Sequence, residues 1–114
     1  MKKIEFLTLI VSFLVILSCV KKRKSFNSND WKNWTESELV PSERWLMYND
    51  LIKNYNLIGV NKDSIKNILG KPNIMNQYEF QYNLGYSNNG SIDPSIMIIK
   101  FNNDTVVNIN VLNE

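Results

Sequence analysis

At Gln77 the spacing of apolar residues changes from helical to alternating, and this change constrains the fold more than any other feature of the chain. Downstream of it Tyr78, Phe80, Tyr82, Leu84 and Tyr86 alternate with Glu79, Gln81, Asn83 and Gly85. That pattern predicts a strand with one aromatic face turned to a core. Ile96 to Phe101 is apolar almost throughout, which predicts a central strand. Ser87 to Pro94 reads as loop, with Asn89-Gly90 as its turn signal. Asn102, Asn103 and Asp104 read as a tight hairpin. The third strand is predicted over Val106 to Leu112, with Val107, Ile109 and Val111 on one face.

Upstream of Gln77 the period is helical. Pro41-Ser42-Glu43 has the proline and acid that suit a first turn. Tyr48, Leu51, Ile52 and Tyr55 then share one helical face, predicting a helix from Pro41 to Asn54. A second, shorter helix begins at the N-cap Asn61 and buries Ile65, Ile68 and Leu69. Gly70 and Pro72 stop it. The predicted architecture is α+β, two N-terminal helices packed on a three-stranded antiparallel sheet (ααβββ).

Before this domain come two segments of other character. Lys2 and Lys3 precede an apolar run from Phe6 to Leu17, and Cys19, the single cysteine, is followed by Lys21, Lys22, Arg23 and Lys24. A charged start, a short apolar core and a small residue before the cut read as a secretory signal over residues 1–18. A membrane-spanning helix needs roughly 20 apolar residues, more than this run supplies. Residues 19–40 read as a flexible linker, because Ser25 to Asp30 is polar and aperiodic. A linker of about 20 residues has a reach on the order of 25 Å. Trp31 and Trp34 interrupt it; they either cap one end of the core or form an exposed pair that docks on a partner or at the lipid interface. The domain proper is assigned to residues 41–114, a unit of about 75 residues with little apolar surface to spare for a deep cavity.

Charge and composition narrow the functions. The net charge is +2, yet from Ser25 onward seven Lys/Arg face ten Asp/Glu. The positive excess lies in the leader and in Lys21 to Lys24, which either meets anionic headgroups or is simply a solvated linker, and does not suit nucleic acid. With no histidine and one cysteine, Cys/His zinc sites and histidine-dependent triads are excluded. The four glycines stand singly and form no phosphate loop. No enzyme, cofactor or small-molecule substrate is expected. The polar pair to watch is Arg44 and Asp50, six apart on the first helix. Each either holds the chain in place, Arg44 on loop carbonyls or a carboxylate and Asp50 on the start of the second helix, or contributes to a charged docking spot. Any leftover aromatic surface at Trp31, Trp34 or Tyr86 would mark an interface.

Two resemblances add to this reading. Ile16-Leu17-Ser18-Cys19 resembles the lipobox of bacterial lipoproteins, which implies that Cys19 becomes an acylated mature N-terminus. Leu57-Ile58-Gly59-Val60, Ile65 and Ile68-Leu69-Gly70-Lys71-Pro72 resemble the helix and Leu-Gly-x-Pro signature of the SmpA/OmlA (BamE-like) domain. Arg44, Met47, Asp50 and Leu51 upstream, and Tyr82, Leu84-Gly85, Asp93-Pro94 and Ile96 to Phe101 downstream, resemble the family's helix and strand patterns. The resemblance implies a non-enzymatic lipoprotein module of the bacterial envelope with a protein partner, possible roles including outer-membrane assembly. Val20 after the cysteine implies the outer membrane, facing the periplasm. The alternative is an inhibitor or immunity-type lipoprotein that binds and blocks an enzyme.

Overall fold

The structure, a computed structural model, describes residues 23–36, 41–87 and 93–113. The predicted leader, Cys19 and the Asn89-Gly90 turn lie outside the described residues. The elements in chain order are α1 (Ser28–Asn33), α2 (Glu43–Asn54), α3 (Lys62–Leu69), β1 (Ile74–Met75), β2 (Glu79–Gly85), β3 (Ser95–Asn102) and β4 (Thr105–Leu112). The strands form one antiparallel sheet in the order β1-β2-β3-β4. The class is α+β, and among the described residues there are three helices and four strands where the sequence predicts two and three. None of these helices is long and apolar enough to cross a membrane.

The additional helix lies in the stretch read as linker. Asn27 caps it by accepting from the Asp30 amide at 3.0 Å, and Trp31, its one apolar residue, is fully buried. A six-residue helix cannot hold itself together; burial of the indole does so. Phe26, just upstream, is also in the core. The folded unit therefore begins well before residue 41.

One face of the sheet carries the core. Phe80, Tyr82 and Leu84 of β2, and Met97, Ile99 and Phe101 of β3, are buried against Trp45, Met47, Tyr48 and Leu51 of α2 and Ile65 and Leu69 of α3. Edge-to-face rings run through it in series: Tyr55–Phe26 at 5.1 Å, Phe26–Trp31 at 5.7 Å, Trp31–Tyr82 at 6.3 Å, Tyr82–Phe80 at 6.5 Å and Phe80–Phe101 at 4.6 Å. Such pairs add about 0.5–1.5 kcal/mol each beyond the area they bury. They join α1 to the sheet, so α1 is part of the core rather than an appendage.

Several predicted details shift. The α2 face is centred on Arg44, Trp45, Met47, Tyr48 and Leu51, and Ile52 and Tyr55 are exposed. The reason is that α2 is covered on two sides, by the sheet and by the N-terminal segment. Tyr78 is 67 % exposed, because the Asn76 side chain accepts from the Tyr78 and Glu79 amides and places Tyr78 in a turn ahead of β2. In β4 the pairing slips between Lys100/Asn108 and Phe101/Val106, leaving Val107 as the extra residue of a bulge. Val106 therefore enters the core, Val107 is exposed, and Ile109 and Val111 pack at the margin. The hairpin is as predicted: Asn103 and Asp104 both have positive φ, 51° and 63°, between the paired Asn102 and Thr105. α3 also follows its punctuation, with Asn61 accepting from the Ser64 amide and Gly70 at φ +77°.

Gly85 marks the tightest approach between layers. At φ +75° a Cβ there would stand 2.6 Å from both Cβ and Oγ of Ser42 and 2.9 Å from the Trp34 ring. Gly85→Ala is expected to destabilise the domain by about 3 kcal/mol, whereas Gly59→Ala, at φ +86° with nothing nearby, costs only the left-handed strain of about 1–2 kcal/mol. Urea unfolding of the two variants measures the difference.

Candidate functional site

Of the four candidate partner-binding residues, three are occupied inside the fold. Arg44 is 6 % exposed. Its Nε donates to the Trp31 carbonyl at 3.0 Å and its Nη1 to the Asn83 carbonyl at 3.0 Å. The guanidinium lies 5.0 Å from the Trp31 ring, 4.8 Å from Trp34 and 6.0 Å from Tyr82. No carboxylate among the described residues forms a salt bridge with it. Burial lowers its pKa to about 10, so it stays charged at neutral pH. Two carbonyls and three aromatic faces supply the compensation that a buried charge requires. Arg44 thereby ties α1, α2 and β2 together.

Trp31 is core. Tyr82, beside Arg44, donates its hydroxyl to the Gly70 carbonyl at 2.8 Å, and burial raises its pKa. Trp34 is half-buried. It shares with Glu36, Asn83, Gly85, Tyr86 and Pro94 a depression of about 180 Å³. This brings together Trp34 and Tyr86, two of the three aromatics expected at a surface patch.

Asp50 fastens the N-terminal segment. Its Oδ2 accepts from the Phe26 amide at 2.7 Å and its Oδ1 from the Asn54 side chain at 2.6 Å. The Phe26 bond, with Asn54 second, holds its carboxyl below the ordinary carboxylate range. The predicted contact with the start of the second helix is absent. The β3–β4 hairpin serves there instead, with Asp104 O accepting from the Lys62 amide at 2.9 Å.

Three exposed apolar side chains lie elsewhere, at the β1 edge of the sheet. Ile74, Met75 and Tyr78 are 55, 52 and 67 % exposed. Met75 also borders Lys66, Gly70, Lys71 and Pro72. Sequence reasoning assigned Tyr78 to the core face and gave Ile74 and Met75 no role. The signal available for Tyr78 was Asn76, whose side chain favours a turn in the residues that follow it. Among the described residues no group of three or more His, Cys, Asp or Glu is placed to hold a metal.

Comparison with protein-family models, with curated proteins and with solved structures returns no match.

Two substitutions test these assignments. Arg44→Lys keeps the charge but cannot donate to two carbonyls from one planar group, and is expected to lower stability by about 2 kcal/mol in urea. For Asp50, whose pKa is lower folded than unfolded, the added stability is present above the unfolded carboxylate pKa and is lost as pH falls through the folded one. Asp50→Asn is therefore expected to be less stable than the parent at neutral pH, and the two urea midpoints should converge under acid conditions.

Proposed function

We propose that the chain is a lipoprotein acylated at Cys19, whose α+β domain serves as a non-enzymatic protein-binding or structural module of the bacterial envelope. Outer membrane facing the periplasm is the location that the lipobox and Val20 favour. The SmpA/OmlA-like residue pattern supports the envelope setting. The binding half of the reading is carried by one observation: Ile74, Met75 and Tyr78 stand in solvent at or beside the β1 edge of the sheet, whereas the other exposed large apolar residues, Ile52, Tyr55, Ile58, Val107 and Leu112, are spread over α2, the segment after it and β4. In a domain this small, apolar surface withheld from the core is a marker of an interface. Among the described residues no strand lies beyond β1, so a partner strand or loop can add main-chain hydrogen bonds at its outer edge.

Two measurements test this. Cys19→Ser is expected to move the protein from the membrane fraction to the soluble one; continued sedimentation with membranes would count against the acyl anchor. A photo-cross-linking residue at Tyr78, in the anchored protein, is expected to capture an envelope-assembly protein. Replacing Ile74 and Met75 with serine in that protein should abolish the adduct without lowering the urea midpoint. Recovery of lipid alone overturns the binding role, and a stoichiometric complex with a hydrolase would support the inhibitor reading instead.

A further inference from the structure

The chain is fastened to the domain almost as soon as it leaves the proposed anchor. The Lys24 amide donates to the Leu46 carbonyl at 3.0 Å, and Arg23 Nη1 donates to the Trp45 carbonyl at 2.8 Å. The Arg23 guanidinium stacks 3.8 Å from the centre of the Trp45 ring and 4.9 Å from that of Tyr48. Lys24 pairs with Glu43. Two residues further on, Asp50 holds the Phe26 amide. Only four residue steps separate Cys19 from Arg23, and a fully extended chain gains at most about 3.6 Å per residue. The leash is therefore no longer than about 14 Å, whatever conformation it takes. The linker reach on the order of 25 Å expected from the sequence alone does not apply.

From this we infer that the anchored domain lies against the bilayer with a fixed side down. The helical face around Arg23, Trp45 and Lys53 is held at the lipid headgroups, and the outer face of the sheet points away from them. This rests on the reading that Cys19 is acylated. The occupant of the helical face is the anionic headgroup layer of the bilayer that holds the anchor. Arg23, Lys24 and Lys53 border one depression on this face. Lys24 is offset by Glu43, and Asp50, held by the Phe26 amide and Asn54, keeps its negative charge, so the positive surplus bordering the depression is that of Arg23 and Lys53 over Asp50. The sheet's outer face is neutral amide and aliphatic along its centre, with Gln81, Ile98 and Asn110 in one cross-strand row. Lys100 on this face stands opposite Glu79, so the face offers headgroups no comparable positive surplus. Each exposed basic residue near an anionic surface contributes about 1 kcal/mol, so the charges reinforce a placement that the leash length already imposes.

The test uses full-length protein expressed with its anchor, purified and reconstituted in vesicles of phosphatidylethanolamine and phosphatidylglycerol that carry a headgroup-linked quencher. One fluorophore is placed through Lys53→Cys on the helical face, and in a second protein through Asn108→Cys, which pairs with Lys100 on the outer face of the sheet. Quenching at position 53 is expected to exceed that at 108 several-fold. Inserting a flexible Gly/Ser stretch of about 20 residues after Val20, outside the folded unit, should bring the two positions close to equal. Equal quenching in the parent overturns the orientation. A difference that survives the insertion overturns the leash as its cause. Mass spectrometry of the same preparations separates this from the proposed function: a bare Cys19 thiol overturns both, whereas acylated protein with equal quenching overturns only this inference.

Discussion

Arg44 brings a positive charge into the interior of a domain that has few ways to neutralise it. The cost of removing a guanidinium from water is offset by two main-chain carbonyls, those of Trp31 and Asn83, and by the faces of Trp31, Trp34 and Tyr82. These partners come from the N-terminal helix with its exit and from β2, while α2 carries the arginine itself, so three parts of the chain meet at the charge. Satisfying one charge therefore requires all three to be in position together. Gly85 allows the approach, because any side chain at that position would meet Ser42 and Trp34. The ring series from Tyr55 to Phe101 then extends the same junction across the core.

This junction explains which parts of the fold were legible in the sequence. α3 was readable because its signals are local: an Asn N-cap, a glycine at the left-handed stop and a proline two residues on. The hairpin at Asn103-Asp104 was readable for the same reason. α1 was not, because its sequence SNDWKN contains a single apolar residue and so has no period. Its existence depends on a pocket built by residues distant in the chain. β1, with two residues, falls below any pattern. The slip in β4 is a matter of pairing, since a bulge exchanges Val106 for Val107 without altering the local alternation.

The candidate site divides along the same line. For Arg44 and Asp50 the sequence left a structural and a docking role open, and the structure finds both of them holding the N-terminal segment in place. Residue type indicated that they would be engaged; the identity of the partner depended on α1, which was not foreseen. Trp34 keeps a half-buried position beside Tyr86 and Pro94, so the expected aromatic surface is reduced to one indole and one phenol. Tyr78 is exposed beside Ile74 and Met75 of the two-residue β1, although alternation assigns it inward, because an Asn side chain, through a local turn, faces it outward.

The N-terminal segment has two consequences that follow from one set of contacts. By covering Trp45 and fastening Phe26 to Asp50, it completes the core around α2. By doing so within a few residues of Cys19 it consumes the chain that would otherwise serve as a spacer. Under the proposed anchoring, a partner must then itself lie at the membrane surface, because the domain cannot travel outward to meet one. The β1 edge with Ile74, Met75 and Tyr78 would sweep only a thin shell above the headgroups. That restriction arises from the length of the leash rather than from any property of the binding surface.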